Sequence, residues 1–452
     1  MLDSDKGVGT AAVNCVQENP GSTTLCCRYF RYRKIGLLDH MGFGNMGDAA
    51  IHESFVQNIK RRLPDARLVA FSQDPEDTRK RHGLVSYPIR WRYPGWNGYD
   101  LRHVTGSAVG SKLRSLLVRC RALYGLAERF RNLIRETTHL IRSFGVVRSL
   151  DLLIVSGGGQ LCDLWWDQPY NVFKFCVLAK LSRTPVFIVG VGADLIRARS
   201  SRFFARWTVR LANYASFRDA ESQSLIRSLG VKSETHVCPD PAYGLDLRDY
   251  EIGDSSRRRT GRVGLNPMGF CDPRVWPRQD AAAYNSYLDK LAHFSSWLLA
   301  QNYDLELFTS DIGVDKYAID DLKERLLAVA GENASHRVVC RPVLDLRELL
   351  LQLSTFDFVI TTKFHGVIFS HLLEKPVVAL SYLPKIDYLM RRVGHQKYCL
   401  SIEDFNVRSL IEAFTSLVHE SGHLRELFRE TSAAYAGVLE VEFDNLLLKE
   451  TR

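Results

Sequence analysis

Two side chains that can bind an anion or move a proton, Lys363 and His365, stand close together in the stretch TTKFHGVIFSHLLEKPVVALSY. Residues 356–360 before them have the composition of a buried strand, and the residues after them have the apolar spacing of a helix. In open α/β folds ligands bind where a strand ends and a helix begins. This stretch therefore combines a lysine, a histidine able to transfer a proton near neutral pH, and the free N–H groups of a helix that starts at Gly366. Together they predict a site for an anionic donor. The alternative is a packed histidine with no ligand.

Three further charged residues follow predicted strands. Arg218 precedes a helix and could hold a carboxylate or phosphate in a bidentate fork, or pair on the surface with Asp219. Lys385 follows the strand at residues 376–382 and could reach the same ligand, although alone it would be an ordinary surface lysine. Asp48 is either a helix N-cap or a carboxylate that accepts a proton from a sugar hydroxyl.

Glycine-rich turns accompany these candidates. One contains Gly44, Asn45 and Gly47, and the other is the run Gly157, Gly158 and Gly159. Glycines allow a ligand to approach the main chain, or simply permit a tight turn. Neither turn has the GxxxxGK[ST] spacing of a P-loop or the GxGxxG order of a dinucleotide fingerprint, so ATP hydrolysis is not indicated.

The elements that must position these residues alternate along the chain. From residue 35 short apolar strands alternate with amphipathic helices, and the pattern restarts after a charged stretch at 246–262. Such alternation predicts parallel sheets with helical crossovers. We therefore predict an α/β, GT-B-like fold in which two Rossmann-like domains with parallel sheets face each other across a cleft.

The predicted boundaries follow from the same pattern. We expect a loose polar extension over 1–34, an acceptor-side domain over 35–245 and a linker over 246–262. A donor-side domain over 263–401 and a helical tail over 402–452 complete the chain.

The amino-acid composition further limits the class of protein to which the chain can belong. The chain has 452 residues, of which 46% are hydrophobic and 25% charged, as in globular proteins. It has no apolar run near 18 residues, and its start lacks the apolar core of a signal peptide, so we expect a cytoplasmic protein without a membrane span. The 10 cysteines form no CxxC pair, and no dense cluster of carboxylates or histidines suggests a metal site.

The net charge of +9 is concentrated in residues 112–148, where an apolar stripe including Phe130, Ile134 and Ile141 runs beside many arginines. One interpretation is a helix that packs on a sheet and leaves a solvated basic face. The other is a peripheral contact with an anionic membrane. No nucleic-acid-binding motif is present, so we expect no nucleic-acid partner.

Five motifs occur in a fixed order along the chain. They are GNMGD (44–48), DLLIVSGGGQLCD (151–163), SFRDAES (216–222), CPDPA (238–242) and TTKFHGVIFSHLLEKPVVALSYLPKIDYLM (361–390). With these motifs the chain resembles the polysaccharide pyruvyl transferase family from Ile35 to about Leu400.

The resemblance implies a GT-B-like fold with the active site between the domains. It also implies phosphoenolpyruvate as donor substrate, a glycan or lipid-linked glycan as acceptor, and no cofactor or metal. Arg218 matches the family's arginine–aspartate motif, and Lys363, Phe364 and His365 stand where the family usually has Arg-Leu-His. Lysine keeps the charge of that arginine but lacks its bidentate fork.

The implied chemistry assigns roles to these residues. His365 would be the general acid or would stabilise the departing phosphate, Arg218, Lys363 and Lys385 would hold the donor, and Asp48 would be the base. Two alternatives remain at this point. One is a GT-B glycosyltransferase that uses a nucleotide sugar, and the other is a non-catalytic partner in polysaccharide assembly.

Overall fold

The computed structural model describes residues 32–39, 42, 44–91, 121–163, 168–252, 260–331 and 336–448. Residues 1–31 of the predicted N-terminal extension and residues 112–120 of the basic segment lie outside these ranges, whereas Tyr32 is buried and Lys34 begins the first strand. Tyr32–Arg452 forms one compact unit.

A seven-stranded sheet organises the first half of this unit. In spatial order β3-β2-β1-β4-β6-β8-β9 all neighbours are parallel. Its strands are β1 (Lys34–Leu38), β2 (Arg67–Ser72), β3 (Val85–Pro88), β4 (Leu152–Ser156), β6 (Val186–Val191), β8 (Tyr214–Phe217) and β9 (His236–Val237). A separate two-stranded parallel sheet joins β5 (Leu161–Cys162) to β7 (Ala193–Asp194).

A six-stranded parallel sheet organises the second half, in the order β12-β11-β10-β13-β14-β15. Its strands are β10 (Arg262–Asn266), β11 (Asp304–Leu307), β12 (Val338–Cys340), β13 (Phe358–Thr361), β14 (Val377–Ser381) and β15 (Cys399–Ser401). Central strands such as β4 and β14 are buried along their whole length, which is why they are continuous apolar runs rather than alternating ones. Two parallel sheets confirm the predicted fold class.

Helices connect the strands and cover the sheets. In the first half they are α1 (Met46–Arg62), α2 (Pro75–His82), α3 (Arg121–Arg148), α4 (Gln168–Ser182), α5 (Arg199–Leu211) and α6 (Ala220–Ser228). In the second half they are α7 (Ala281–Ala300), α8 (Lys316–Ala330), α9 (Leu346–Ser354), α10 (Phe364–Leu372), α11 (Pro384–Arg392), α12 (Val407–His419) and α13 (Ser421–Leu447). Most begin where the sequence has Asp or Asn, as at Asp219, whose side chain accepts a hydrogen bond from the N–H of Ser222 (2.6 Å).

The C-terminal helix α13 contacts elements of both halves. On α1, Arg62 donates hydrogen bonds to Glu440 and Asp444, both at 2.6 Å. On the other half, the ring of Phe428 lies 4.4 Å from that of His371 in α10. The tail is therefore helical, as its sequence predicts, and it links the two sheets through α1 and α10.

The predicted linker is partly ordered. A 3₁₀-helix spans Leu247–Tyr250, and Tyr250 is buried in the main hydrophobic core. Residues 253–259 lie outside the described part of the chain. The start of the stretch at 246–262 is thus attached to the core.

Helix α3 has the opposite orientation to the one expected from its apolar stripe. The prediction that Phe130, Ile134 and Ile141 pack on the sheet is wrong, because all three are exposed. The buried face instead carries His139, whose ring bonds to the carbonyl of Ile89 (3.0 Å), and Val147. The hydrogen-bonded side chain of His139 therefore occupies a buried position that hydrophobicity alone would assign to an apolar residue.

The described residues contain no disulfide among the free cysteines at 162, 176, 238, 271, 340 and 399, and no group of ligands suited to a metal ion. Within the same ranges, no helix combines the length and the apolar character needed to span a membrane.

Candidate active site

An open cleft with a cavity volume of about 160 Å³ lies where the carboxyl ends of the two sheets meet. Strand β13 is followed by Lys363 and His365, β8 by Arg218, and β14 by Lys385; all four side chains line the cleft. Asn45 and Asp48 at the start of α1, and Gly159 after β4, also line it. Parallel strands bring these separate segments together because their carboxyl ends share one edge of a sheet.

The loop before α1 joins the two sheets directly. The N–H of Met46 donates to the carbonyl of Ser310 (2.8 Å), and the N–H of Ile312 donates to the carbonyl of Gly44 (3.2 Å). Ser310 and Ile312 follow β11 of the second sheet. Gly44 has φ +79° and packs against Ile312, so a left-handed turn is required at this junction.

Asn45, and not Asp48, is the N-cap of α1. Its side-chain oxygen accepts hydrogen bonds from the N–H groups of Gly47 (2.9 Å) and Asp48 (3.3 Å). The N-cap interpretation of Asp48 is therefore wrong, since helix α1 already begins at Met46. The carboxyl of Asp48 is left to face the cleft.

Asp48 has the titration behaviour of a general base. Burial raises its pKa to about 6; His365 and Lys385 act to lower the pKa, whereas Asp39 and Asp311 act to raise it further. Near neutral pH such a carboxyl is mostly ionised yet basic enough to accept a proton. Sequence reasoning did not foresee the carboxylate Asp39, which is buried and lies 2.5 Å from Nδ1 of His52.

His365 lies in the first turn of α10, beside the start of α1. Its Nε2 is 3.8 Å from Oδ1 of Asp240 and has no hydrogen-bond partner among the described residues. Helix α10 has no side-chain N-cap, so its first N–H groups add donors at the same place. A ring nitrogen and helix N–H groups that face a cleft suit a negatively charged ligand.

Arg218 is buried between a ring and a glycine. Its guanidinium lies 4.4 Å from the centre of the Phe364 ring and packs on Gly192, where a Cβ would overlap it. Nη1 donates to Oδ2 of Asp240 (3.3 Å), and Nε lies 3.5 Å from Asp219. Burial would raise the pKa of Asp240, but His365 and Arg218 outweigh that effect and hold it below its ordinary value.

Lys363 and Lys385 differ in their partners. Nζ of Lys363 lies 3.0 Å from Asp315 and 3.5 Å from Asp311; although burial acts to lower its pKa, these carboxylates hold it above the ordinary value. Its charge is thus compensated, which the sequence did not indicate. Lys385 forms no ion pair with any described carboxylate and lies over the rings of Phe364 and Tyr382 (5.7 and 5.9 Å). Its charge nevertheless acts to lower the pKa of the cleft carboxyls Asp48 and Asp194.

The remaining predicted residues lie behind the cleft surface. Gly366 packs against Thr361, and Gly157 (φ +52°) packs against Ile51 and Pro241. Gly158 (φ +69°) has its Cα close to the Asp48 carboxylate. Gly47 contacts the ring of His365 so closely that a Cβ would overlap Nδ1. Among these glycines, Gly47 and Gly158 lie next to side chains that line the cleft, His365 and Asp48.

Several residues of the site were missed by sequence reasoning. Asp194 lines the cleft, and burial raises its pKa against the opposing effects of Lys385 and Arg218. Leu195, next to it, has φ +48°, a strained value for a branched residue. Asp311 and Asp315 follow β11, and their place after a strand end is the signal that could have found them.

Gly47→Ala tests whether close packing on His365 matters. An added methyl group must push the imidazole away, so we expect at least about tenfold lower transferase activity, because small misplacements of catalytic groups are costly. The matched control is Gly437→Ala in α13, where nothing lies within 4 Å of the new Cβ. That control should gain up to about 1 kcal/mol of unfolding free energy and keep its activity. Equal activity of the two variants would contradict the packing argument.

Two parallel sheets whose carboxyl edges meet over a charged cleft define a GT-B-like enzyme. The chain belongs to the polysaccharide pyruvyl transferase family, whose profile matches residues 45–384. This is a family of transferases, as the sequence predicted. Residues 45–384 include all five motifs except Gly44 of the first and residues 385–390 of the last.

Individual proteins are similar to this chain in sequence or in fold. The chain is 20% identical over 396 residues to the amylovoran biosynthesis protein AmsJ of Erwinia amylovora, which covers 84% of this chain and 90% of AmsJ. Its fold is similar to UDP-GlcNAc 2-epimerase from Neisseria meningitidis bound to UDP-GlcNAc (TM-score 0.58, 12% identity, 92% of this chain and 100% of that one). It is also similar to S. aureus MnaA in complex with UDP (TM-score 0.54, 12% identity, 93% and 99%). At such identities the two structures show the fold alone.

Proposed function

We propose that this protein transfers the pyruvyl unit of phosphoenolpyruvate to sugar hydroxyls of a glycan, forming a pyruvate ketal and releasing phosphate. The observation that carries the proposal is the set of basic side chains Arg218, Lys363, His365 and Lys385, which lines the same cleft as Asp48. Phosphoenolpyruvate carries a carboxylate and a phosphate, and such a set suits both. Family membership and the AmsJ relative support a role in exopolysaccharide or cell-surface glycan biosynthesis.

The residues have distinct roles in the reaction. A proton goes to C3 of the enol, which makes C2 electrophilic, and a sugar oxygen attacks C2 as its own proton goes to Asp48. A second hydroxyl then displaces phosphate from C2 and passes its proton to the departing phosphate, which closes the ketal. His365 gives the proton to C3 or stabilises the departing phosphate, while Arg218 and Lys385 hold the anionic groups. Our proposal for the donor site contains no metal or cofactor.

Thermal shifts with phosphoenolpyruvate, UDP and GDP test the donor. A ligand at about a hundred times its Kd stabilises the folded state by roughly 2.7 kcal/mol, so we expect phosphoenolpyruvate to raise Tm clearly. Lys385→Gln should lose much of that shift without unfolding, because Lys385 makes no ion pair, and the exposed Lys180→Gln should keep it. A shift with UDP or GDP alone would favour a glycosyltransferase that uses a nucleotide sugar. The absence of any shift together with an absence of activity would favour a non-catalytic partner.

The outward face of α3 supports a peripheral membrane contact on the cytoplasmic side, where we place the reaction. Phe130 is 64% and Ile141 68% exposed, and Arg129, Arg135 and Arg142 are exposed beside them. Apolar side chains flanked by arginines match the interface of an anionic bilayer. A glycan carried on a lipid would meet the enzyme at such a surface.

Vesicle sedimentation tests this contact. We expect binding to vesicles that contain phosphatidylglycerol and little binding to pure phosphatidylcholine, with a decrease at high salt. Arg129→Gln with Arg142→Gln should weaken binding by about 2 kcal/mol, or roughly 30-fold. Phe130→Ser should also weaken it, whereas Val438→Ser, an exposed apolar position on α13, should not. Binding that is independent of lipid charge and unchanged in these variants would contradict the proposed membrane contact.

A further inference from the structure

The turn between β4 and β5, residues 157–161, supplies a polar side chain to the cleft that the chemistry described above does not use. This side chain is Gln160, which lines the cleft. The N–H of Gly192 donates to the carbonyl of Gly158 (2.7 Å), and the N–H of Leu161 donates to the carbonyl of Gly192 (3.2 Å). Because these two bonds tie the turn to the segment after β6, the backbone of Gln160 is held in place.

The amide of Gln160 is buried without a partner for its oxygen. The residue is 3% exposed, and within the described ranges its Oε1 has no hydrogen-bond partner. Buried polar atoms in proteins are almost always hydrogen-bonded. Gln57 shows the usual arrangement: its Oε1 accepts from the N–H of Asp246 (2.8 Å), and its Nε2 donates to Asp249 (2.8 Å). A ligand in the cleft can supply the partner that Gln160 lacks.

The same amide lies beside the proposed base. Oδ1 of Asp48 and Nε2 of Gln160 lie 3.6 and 3.8 Å from the position that a Cβ on Gly158 would take. At Gly159, which lines the cleft, nothing lies within 4 Å of the corresponding position. The two glycines therefore leave room for a ligand that meets the carboxylate and the amide together.

A second amide, that of Gln168 at the start of α4, lines the same cleft. Gln168 is 7% exposed, and its Oε1 accepts a hydrogen bond from Sγ of Cys162 (3.2 Å). This bond orients the amide and leaves the N–H groups of Nε2 as donors. Uncharged amides with both donors and acceptors suit hydroxyl groups, whereas the cations of the cleft suit anions.

We propose that Gln160 and Gln168 form a subsite for the hydroxyls of a neutral sugar, in which Gln160 holds the second of the two hydroxyls that the ketal joins. This inference rests on the proposed pyruvyl transfer and places the acceptor within that site. Asp48 takes the proton of the first hydroxyl, and a neighbouring hydroxyl of the same sugar meets the amide that flanks Gly158. An amide binds a hydroxyl without removing its proton, which therefore remains for the departing phosphate.

NMR titrations with the methyl glycosides of galactose, glucose and mannose test the subsite. Inorganic phosphate is present to occupy the donor site without turnover. At least one glycoside should bind the wild-type protein, and its Kd should rise about three- to tenfold in Gln160→Met, since one hydrogen bond is lost. Methionine has a similar size, and the amide oxygen that it removes has no partner in the described chain, so the variant should fold. The control is Gln301→Met at an exposed position after α7, which should not change the Kd.

Deoxy sugars distinguish direct contact from an indirect effect on the cleft. The 3-, 4- and 6-deoxy forms of the glycoside that binds each lack one hydroxyl. One of them should bind the wild-type protein as weakly as the parent glycoside binds Gln160→Met, and should lose no further affinity in that variant. Additive losses for every deoxy form would show that Gln160 touches none of these hydroxyls and would overturn the inference. Equal affinity of Gln160→Met and wild type, or no binding of any glycoside to the wild type, would overturn it as well.

Phosphoenolpyruvate binding keeps this inference separate from the proposed function. Its Kd should stay within about twofold in Gln160→Met, because the amide belongs to the acceptor subsite. Failure of phosphoenolpyruvate to bind the wild-type protein would count against pyruvyl transfer, whereas the glycoside titrations report on the sugar subsite alone. A loss of phosphoenolpyruvate affinity in Gln160→Met, with glycoside affinity unchanged, would assign Gln160 to the donor and overturn the subsite.

Discussion

His365→Asn is expected to lower kcat/KM for pyruvyl transfer by about a thousandfold, the middle of the range that one general acid–base residue contributes. Asparagine can donate a hydrogen bond but cannot deliver a proton near neutral pH. The imidazole stands beside the uncapped start of α10, 3.8 Å from Asp240, with an unpartnered Nε2. Release of phosphate from phosphoenolpyruvate, measured with a glycan acceptor present, checks the effect.

The affinity for phosphoenolpyruvate separates the two roles of His365. If the residue is the acid, kcat should carry most of the loss and Kd should change by less than about tenfold. If it only holds the donor, Kd should carry the loss instead. The buried His371 in the same helix is a poor substitute control because its ring bonds to Tyr243 (2.7 Å), so the exposed His419→Asn on α12 is the better one. Activity of His365→Asn within about threefold of wild type would rule out proton transfer by this residue.

Arg218→Met is expected to have the largest effect on stability, about 3–5 kcal/mol of unfolding free energy. Arg218 and Asp240 are both buried, with side-chain exposures of 3% and 4%. Loss of the guanidinium would leave the Asp240 carboxylate without its main partner, and it would also remove the cation under which Phe364 packs. Urea unfolding measures the change, and binding of phosphoenolpyruvate should be lost in the same variant.

A double variant separates stability from donor binding. Adding Asp240→Asn to Arg218→Met removes the uncompensated charge, so part of the lost unfolding free energy should return. Phosphoenolpyruvate binding should not return, since the guanidinium is still absent. Arg218→Lys should retain more stability than Arg218→Met but bind the donor less well than wild type, because lysine lacks the fork. Stability of Arg218→Met within about 1 kcal/mol of wild type would contradict the proposed role of the buried pair.

Local sequence patterns predicted most helices and strands because hydrophobic periodicity and backbone hydrogen bonding act between residues that are close in the chain. The apolar face formed by Ile51, Phe55 and Ile59 predicted helix α1, and all three side chains are buried. The continuous run before Gly157 placed β4 in the centre of a parallel sheet. Glycines at strand ends and Lys363, His365 and Arg218 just beyond them marked the turns that line the cleft. Each of these inferences depends on residues within about one turn or one strand of each other.

Three features depended on residues far apart in the chain and were not predictable from local patterns. The partner of Lys363 comes from the turn after β11, so its compensated charge is visible only once both sheets are assembled. Helix α3 exposes its apolar stripe instead of burying it. Its buried face carries His139, whose ring is hydrogen-bonded to the distant carbonyl of Ile89. The cap of α1 is Asn45 because the preceding loop is hydrogen-bonded to Ser310 and Ile312, which places Asp48 inside the helix.

The sequence by itself determined the alternation of strands and helices, the family, and the residues at the ends of strands that line the cleft. Spacing and side-chain type carry that information because backbone hydrogen bonding and hydrophobic periodicity act over a few residues. Only the tertiary structure decided which of those charges are available. An arginine or lysine is free or compensated according to the carboxylates that other segments bring within about 4 Å, and low dielectric makes that distance decisive. Lys363 is compensated by Asp315, whereas Lys385, with the same chemistry, forms no ion pair with a described carboxylate and lies over the ring of Phe364.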